Sequence, residues 1–270
     1  MANQIKNVSN SSAGEPTRTE AVTGYVSEVF CSVQGEGLYV GERHLFLRTA
    51  GCTATCYWCD TVSSKQESSL CTVHRTKKES LTNPLSAEQT VAVLLDFATE
   101  AVPVRVTITG GEPLEQSDFV TAVARELKRH RLQVYLETNG LEVEGFRKVR
   151  PFVDIVAMDI KLPHATGEIH WDTHRDFLRW IVGKSAFVKI VIDSSTPSAE
   201  IEVATHLIAE IDRSIPLVLQ PEGKIFKRDS DEHHAREKLM GLLDEAQRFA
   251  LGCLQDVRVI PQCHKILKVR

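Results

Sequence analysis

The sequence lacks an excess of positive charge, a long apolar run and a dense set of cysteines. Its formal net charge at pH 7 is −4, and Lys and Arg are scattered among Asp and Glu, so the broad basic face that duplex nucleic acid selects is missing. No stretch approaches the roughly eighteen apolar residues of a membrane span, and no basic-then-apolar leader opens the chain. We therefore predict a soluble, cytoplasmic protein with a small-molecule partner, no nucleic acid and no membrane.

Cysteine is also too sparse for a small secreted domain, because seven cysteines among 270 residues do not form an evenly paired framework. With 42% hydrophobic residues, the chain can bury one large core, and a single domain over residues 22–270 is the simplest interpretation. Residues 1–21 are rich in Asn, Ser and Thr and are predicted to be a disordered tail. The polar stretch 63–83 is predicted to be a solvated insertion or lid within the domain.

Short apolar runs alternate with amphipathic stretches from Arg43 onward. The sequence predicts strands at HLFLR, VRVTI, QVYLE, DIVAMD, FVKIVID, LVLQ and VRVI, and helices near 86–100, 117–130, 172–180, 198–211 and 233–251. Strands that alternate with helices imply parallel pairing, so the predicted fold class is α/β, with a partial (β/α)6 TIM-like barrel. Polar residues that follow these strands are expected to share one edge of the sheet.

The segment GCTATCYWCDT places Cys52, Cys56 and Cys59 within eight residues. They could be ordinary thiols, or a four-cysteine zinc site that recruits Cys71, because Cys-x3-Cys falls within zinc spacings and a closed site needs four ligands. A third interpretation is an iron–sulfur cluster held by three thiolates, which leaves one iron open. After the VRVTI strand, Gly110 would let the backbone approach a ligand closely.

Cys-x3-Cys-x2-Cys and the segment Thr109-Gly-Gly-Glu-Pro113 resemble the radical S-adenosylmethionine (radical SAM) enzymes. The resemblance implies a barrel of the radical SAM type and a [4Fe-4S] cluster on the three cysteines, whose open iron is chelated by S-adenosylmethionine. It also implies a one-electron reductant such as flavodoxin or ferredoxin, and shielding of the cluster by Tyr57 and Trp58. The cofactor contacts that it implies are Gly110, Gly111, Glu112, Glu137, Asn139, Asp159, Lys161 and Gln220.

Segments 28–52 and 257–265 narrow the resemblance to the 7-carboxy-7-deazaguanine synthase family of queuosine biosynthesis. It implies conversion of 6-carboxy-5,6,7,8-tetrahydropterin to 7-carboxy-7-deazaguanine with loss of ammonia, hydrogen abstraction at C6 and regeneration of S-adenosylmethionine. The family further implies a homodimer, and Mg²⁺ on Thr61 that bridges to the substrate carboxylate. Because the protein chiefly positions and shields, no acid or base is singled out. The implied substrate contacts are Gln34, Glu36, Arg48, Gly111, Gln262 and His264.

Two other functions remain open from the sequence. Many family members read Ser-Pro-Lys where this chain has Asp159-Ile160-Lys161, and the latter resembles radical SAM activating enzymes that act on a glycyl radical protein. A zinc-stabilised binding module without chemistry is the other alternative, and it would require Cys71. Replacement of Cys71 by Ser separates the zinc module from a three-cysteine cluster, because only the module would lose its metal.

Overall fold

Strands and helices alternate along most of the chain. The computed structural model describes residues 21–59, 61–101, 105–223 and 233–270. The predicted tail up to residue 20, and Asp60, lie outside the described residues. The strands are β1 (Thr23–Gly24), β2 (Val26–Val33), β3 (Arg43–Thr49), β4 (Leu70–His74), β5 (Lys78–Thr82), β6 (Leu85–Ser86), β7 (Arg105–Gly110), β8 (Gln133–Thr138), β9 (Ile155–Asp159), β10 (Ser185–Ile192), β11 (Leu217–Pro221) and β12 (Val257–Val259). The α-helices are α1 (Ala87–Ala101), α2 (Ser117–Arg129), α3 (Val143–Val149), α4 (Pro163–Thr166), α5 (Trp171–Ile181), α6 (Ser198–Ile211), α7 (His233–Cys253) and α8 (Cys263–Leu267), and short 3-10 turns lie at Gly37–Tyr39, Val62–Ser64, Pro113–Gln116 and Arg150–Phe152.

The main sheet has ten strands in the order β12-β11-β10-β9-β8-β7-β3-β2-β4-β5. Strands β3 and β7 to β12 are parallel to one another, while β2 pairs with β3 in the antiparallel sense. Helices connect successive parallel strands from β7 onward, so the predicted α/β class and partial barrel are confirmed. None of the helices in the described ranges is both long and apolar enough to span a bilayer.

Side chains on the parallel strands alternate between an outer core and the inside of the barrel. Outward residues such as Val134, Leu136 and Val156 pack with the helices in one large core. The inward residues Tyr135 and Phe187 belong to a smaller apolar cluster. The next inward position on each strand, two residues closer to the carboxyl end, carries a polar side chain. These residues are Glu137 on β8, Asp159 on β9, Lys189 on β10 and Gln220 on β11.

Part of the stretch 63–83, which was predicted to be a solvated insertion or lid, extends the main sheet as β4 and β5. Strand β4 pairs with β2 in parallel and with β5 in the antiparallel sense. Cys71 and Val73 lie on the same face of β4 and are fully buried in the large core. Most polar residues of the stretch lie in the segments before, between and after the two strands, and the others include those of β5, whose side chains are mostly exposed. Strand β2 itself was not predicted.

Helix boundaries agree with the sequence where an end signal is strong. The predicted capping box before α1 is present, since Ser86 Oγ accepts from the Gln89 amide (3.1 Å) and Gln89 Oε1 accepts from the Ser86 amide (2.9 Å). Helix α6 covers the predicted range 198–211, and α2 ends one residue before its predicted end. The short helices α3, α4 and α8 were not predicted.

Candidate active site

A cavity of about 460 Å³ opens at the carboxyl ends of the parallel strands. Its size suits a small molecule together with a nucleoside cofactor. Every residue predicted from the sequence to bind the cluster, Mg²⁺, the cofactor or the substrate lines this cavity, so the structure brings together segments from residue 34 to residue 264. The roles of the individual residues remain predictions.

The cysteine loop, residues 51–59, follows β3 and leads all three thiols to the cavity. Backbone hydrogen bonds fix its start, from the Gly51 amide to the Ser64 carbonyl (2.8 Å) and from the Cys52 amide to the Lys65 carbonyl (3.1 Å). The loop therefore depends on the segment that follows it, and both form one wall of the cavity.

The three thiols suit a cluster better than a single metal ion. Burial raises the pKa of Cys52 to about 11 and also raises the pKa of Cys56, so both remain protonated at neutral pH unless a positive metal centre compensates the thiolate charge. No three His, Cys, Asp or Glu side chains in the described part of the chain are close enough together to hold one metal ion. In a [4Fe-4S] cluster each thiolate binds a different iron, so the sulfur atoms do not have to converge on one point.

Cys71 does not belong to this site. Its side chain is 0% exposed, it lies in the large core, and it does not line the cavity. Burial raises the pKa of its thiol to about 12. The four-cysteine zinc interpretation needs Cys71 beside the other three cysteines, and the structure contradicts that requirement.

The glycine pair after β7 allows the strand end to pack against the cysteine loop. A Cβ at Gly110 would lie 2.3 Å from the Thr49 carbonyl oxygen, and the φ angle of Gly110 is +143°. A Cβ at Gly111 would lie 2.0 Å from the Gly51 carbonyl oxygen. Both contacts are with backbone atoms that cannot move away cheaply, so this approach requires glycine.

Glu112 joins the carboxyl ends of β7 and β8. Its buried carboxylate accepts hydrogen bonds from the Leu114 amide (3.0 Å), the Thr138 hydroxyl (2.8 Å) and the Asn139 amide (2.7 Å). Burial raises the pKa of Glu112 and the three hydrogen bonds lower it. The effect of burial is larger, so the pKa is about 7. Its oxygens are thus occupied within the protein, and its main effect on the cavity is to position Asn139.

Gln34 and Glu137 form one hydrogen-bonded pair across the barrel mouth. Gln34 Nε2 donates to Glu137 Oε1 (2.9 Å), and Thr109 Oγ1 donates to Glu137 Oε2 (2.8 Å). Gln34 Oε1 in turn accepts from the Glu36 amide (3.1 Å). Glu137 was predicted to contact the cofactor, but its partner here is a residue predicted to contact the substrate.

Glu36 is surrounded by donors. Its Oε1 accepts from Gln262 Nε2 (2.8 Å), its Oε2 accepts from Lys189 Nζ, and His264 Nδ1 lies 3.9 Å from Oε1. Burial alone would raise the pKa of Glu36, but Lys189 and His264 hold it well below its usual range. Lys189 was missed from the sequence, although a lysine inside the apolar strand FVKIVID is a usable signal for a buried charge.

Asp159 and Lys161 form a second charged group, nearer to the cysteines. Lys161 Nζ lies 2.9 Å from Asp159 Oδ2 and 4.8 Å from the centre of the Trp58 ring. In the described part of the chain, Asp159 Oδ1 and both amide atoms of Gln220 are buried without a hydrogen-bond partner. Buried polar atoms are rarely left unsatisfied in native proteins, so these atoms fit contacts with the polar groups of a bound cofactor.

Arg48 faces the cavity from β3 and forms an ion pair at the same time. Its Nε donates to Glu28 Oε1 (2.9 Å), and its guanidinium lies 5.6 Å from the centre of the Phe30 ring. Glu28 also contacts His74 Nε2 (3.0 Å) and Arg270. Sequence reasoning missed Glu28 and His74, because nothing in the local pattern indicates that β2 and β4 meet Arg48.

Thr61 and the two aromatic residues of the loop differ in their relation to the cavity. Thr61 lines it, with its hydroxyl oxygen 3.8 Å from Cys59 Sγ. Trp58 also lines it, as expected for a residue that shields a cluster. Tyr57 is 54% exposed and its ring packs against His164, so the predicted shielding by Tyr57 was wrong.

Comparison with known proteins agrees with this geometry. Residues 46–191 match the Radical SAM superfamily. The chain is 36% identical over 249 residues to the 7-carboxy-7-deazaguanine synthase of Geobacter sulfurreducens, covering 90% of this chain and 96% of that protein. It is 34% identical over 249 residues to the enzyme of that name from Archaeoglobus fulgidus, covering 90% of this chain and 97% of the relative.

Solved structures show the same fold. QueE from Escherichia coli superposes with a TM-score of 0.55 at 21% identity, covering 90% of this chain and 95% of that one. SuiB of Streptococcus suis, bound to precursor peptide SuiA, also gives a TM-score of 0.55, at 14% identity, but the match covers 79% of this chain and only 47% of SuiB. From the superfamily match and these relatives, the chain belongs to the 7-carboxy-7-deazaguanine synthase family of the radical SAM superfamily.

Proposed function

We propose that this chain converts 6-carboxy-5,6,7,8-tetrahydropterin to 7-carboxy-7-deazaguanine with loss of ammonia. The observation that carries the proposal is that the three cysteines, the glycine pair and Gln34, Glu36 and Arg48 line one cavity. An enzyme of this kind needs a cluster, a cofactor and a small substrate within one enclosed site, and this cavity has donors and acceptors suited to all three.

The cysteine side of the cavity holds the cofactors. Cys52, Cys56 and Cys59 would bind a [4Fe-4S] cluster, and the strand-end residues Asp159 and Gln220 offer unsatisfied polar atoms to S-adenosylmethionine. When bound, the cluster and S-adenosylmethionine would supply the 5′-deoxyadenosyl radical that removes hydrogen from C6 of the pterin. The residues themselves bind, orient and exclude water.

The part of the cavity around Glu36 and Gln34 recognises the pterin edge. The ring presents N–H and amino donors, and the Glu36 carboxylate is the acceptor suited to them. Glu36 stays ionised in the neutral range because Lys189 and His264 hold its pKa well below the usual range against the effect of burial. Gln34 adds amide groups beside it, and its contact with Glu137 fixes their direction.

The substrate carboxylate is bound near Arg48 and Thr61. Arg48 presents a guanidinium to the cavity, and the ion pair with Glu28 restrains it. Thr61 lines the cavity beside Cys59, where a hydroxyl ligand and the substrate carboxylate together would suit Mg²⁺.

The reaction further requires a one-electron reductant such as flavodoxin or ferredoxin, and we propose a cytoplasmic homodimer by analogy with the family.

Anaerobic turnover tests the proposal. The protein is reconstituted with iron and sulfide, reduced, and given S-adenosylmethionine, Mg²⁺ and the pterin, and 7-carboxy-7-deazaguanine is followed by absorbance and mass. We expect product from the wild type and none from Cys56→Ala. Cleavage of S-adenosylmethionine without pterin conversion would overturn the substrate assignment and favour an activating enzyme, which the sequence Asp159-Ile160-Lys161 resembles.

A further inference from the structure

Lys189 lies between the two halves of the active site. Its Nζ donates to Glu36 Oε2 and lies 3.5 Å from Asp159 Oδ2, and Lys189 and Asp159 are neighbours in the register of β10 and β9. The side chains of Lys189 and Glu36 are 15% and 16% exposed. Such a pair is mostly desolvated, so loss of one partner leaves the other charge poorly compensated.

The contacts of Glu36 leave part of its carboxylate free. A carboxylate has about four acceptor positions. Gln262 Nε2 occupies one on Oε1, and Lys189 Nζ occupies one on Oε2. Because each oxygen is already held by one protein donor, the carboxylate has a fixed orientation and retains acceptor positions for a ligand.

The charges of the pair reinforce each other. Burial would lower the pKa of Lys189, but Glu36, Asp159 and Glu137 raise it above its usual range. Lys189 is the largest of the influences that lower the pKa of Glu36. Both groups are therefore ionised throughout the neutral range.

We propose that Lys189 is a positioning residue for pterin recognition, which holds Glu36 as an oriented carboxylate whose free acceptor positions receive the N–H and amino groups of the substrate. The inference rests on the proposed function, because it takes Glu36 to bind the pterin edge. Lys189 acts through Glu36 and does not itself have to touch the substrate. Family resemblance did not indicate this residue.

Other charged or titratable groups face the pair and must be considered in any pH dependence. They come from α8, β8, β9 and the segment that follows β9: His264, Lys265, Tyr135, Glu137, Asp159 and Lys161. All of them remain in a Lys189 variant, so a change in the pH profile that disappears with Glu36→Gln belongs to the Lys189 and Glu36 pair.

The first test compares kcat/KM for the pterin from pH 6 to 8. In Lys189→Met, burial dominates and raises the pKa of Glu36, so kcat/KM relative to the wild type falls as the pH is lowered through this range. At pH 7 we expect a loss of about 100-fold, mainly in KM, since a buried charge pair has lost one partner. Lys189→Arg retains the pH profile of the wild type, and the surface variant Lys148→Met matches the wild type.

A double-mutant cycle shows whether Lys189 acts through Glu36. In the Glu36→Gln background, Lys189→Met should change kcat/KM by less than about fivefold. An equal loss in both backgrounds, or a uniform loss with the wild-type pH profile, would overturn the proposal.

A second readout does not depend on turnover. In the wild type the lowered pKa of Glu36 contributes stability above its ordinary value of 4.5, and this stability is lost as the pH falls. In Lys189→Met the raised pKa gives the opposite slope, so the difference in unfolding free energy between the two proteins grows from pH 5 to 8. A difference in unfolding free energy that stays constant from pH 5 to 8 would overturn the inference. Absence of product from the wild type would instead overturn the proposed function, and this stability measurement does not depend on it.

Discussion

At the scale of single residues, the site consists of buried polar groups that alternate along strands. The sequence indicated those at strand ends, such as Asn139 and Gln220, because parallel strands bring their carboxyl ends together. It did not indicate Lys189, which lies inside a strand and pairs with Glu36 across 153 residues of sequence. Local periodicity contains no information on such a partner, so charge pairs between residues distant in sequence can be identified only from the structure.

The glycine at position 111 provides a direct test of the close approach between β7 and the cysteine loop. In Gly111→Ala the new Cβ meets the Gly51 carbonyl, so we expect the unfolding free energy to fall by about 2 kcal/mol and iron incorporation to fall with it. Gly241→Ala is the matched control, because nothing lies within 4 Å of its Cβ and it lies within α7. Normal iron content in Gly111→Ala would show that the loop does not depend on this contact.

Glu112 predicts a pH dependence of stability. Its folded pKa of about 7 lies above its ordinary value of 4.5, so the folded protein binds a proton that the unfolded chain releases in this interval. The resulting stability is present below pH 4.5 and is lost as the pH rises through 7. Relative to Glu112→Gln, the wild type should lose on the order of 3 kcal/mol between pH 4.5 and 8, measured by urea unfolding. A pH-independent difference would contradict the raised pKa.

At the scale of elements, the hairpin of β4 and β5 is the clearest difference between sequence and structure. Its composition is polar because β5 is mostly exposed; Cys71 and Val73 are its buried apolar residues, and Leu81 packs against the core while partly exposed. Two buried positions are too few to distinguish a strand from a loop by periodicity. Helix α1, in contrast, was predictable because a capping box marks its start.

The hairpin makes a prediction about packing. Val73 is 1% exposed and Leu70, on the same strand, is 49% exposed. We expect Val73→Ala to lower the unfolding free energy by about 2 kcal/mol, because it leaves a cavity in the core. Leu70→Ala should change it by less than about 0.5 kcal/mol. Equal small effects in denaturant titrations would restore the interpretation of a solvated insertion.

The cysteine loop gives a second prediction at this scale. Cys71→Ala should keep the iron content of the wild type, because Cys71 lies in the core and outside the cavity. Cys56→Ala should lose most of it, since a second iron of the cluster would be left without a protein ligand. Iron and sulfide analysis after reconstitution measures both. Loss of metal from Cys71→Ala would revive the four-cysteine site.

At the scale of the whole molecule, an open parallel sheet gathers residues from most of the chain into one cavity. The α/β class and the partial barrel followed from the alternation of strands and helices. The antiparallel extension through β2, β4 and β5 did not, because it depends on pairing between segments that are distant in sequence. The substrate was indicated only by motifs near the two ends of the chain. Residues from both of these segments line the same cavity, so they can contact one substrate together.

The proposed reaction forms 7-carboxy-7-deazaguanine and regenerates S-adenosylmethionine. The most direct measurement is the ratio of product formed to S-adenosylmethionine consumed in an anaerobic reaction of the reconstituted wild type. We predict many molecules of product for each S-adenosylmethionine lost. Consumption of one or more S-adenosylmethionine per product, or cleavage without product, would contradict the account.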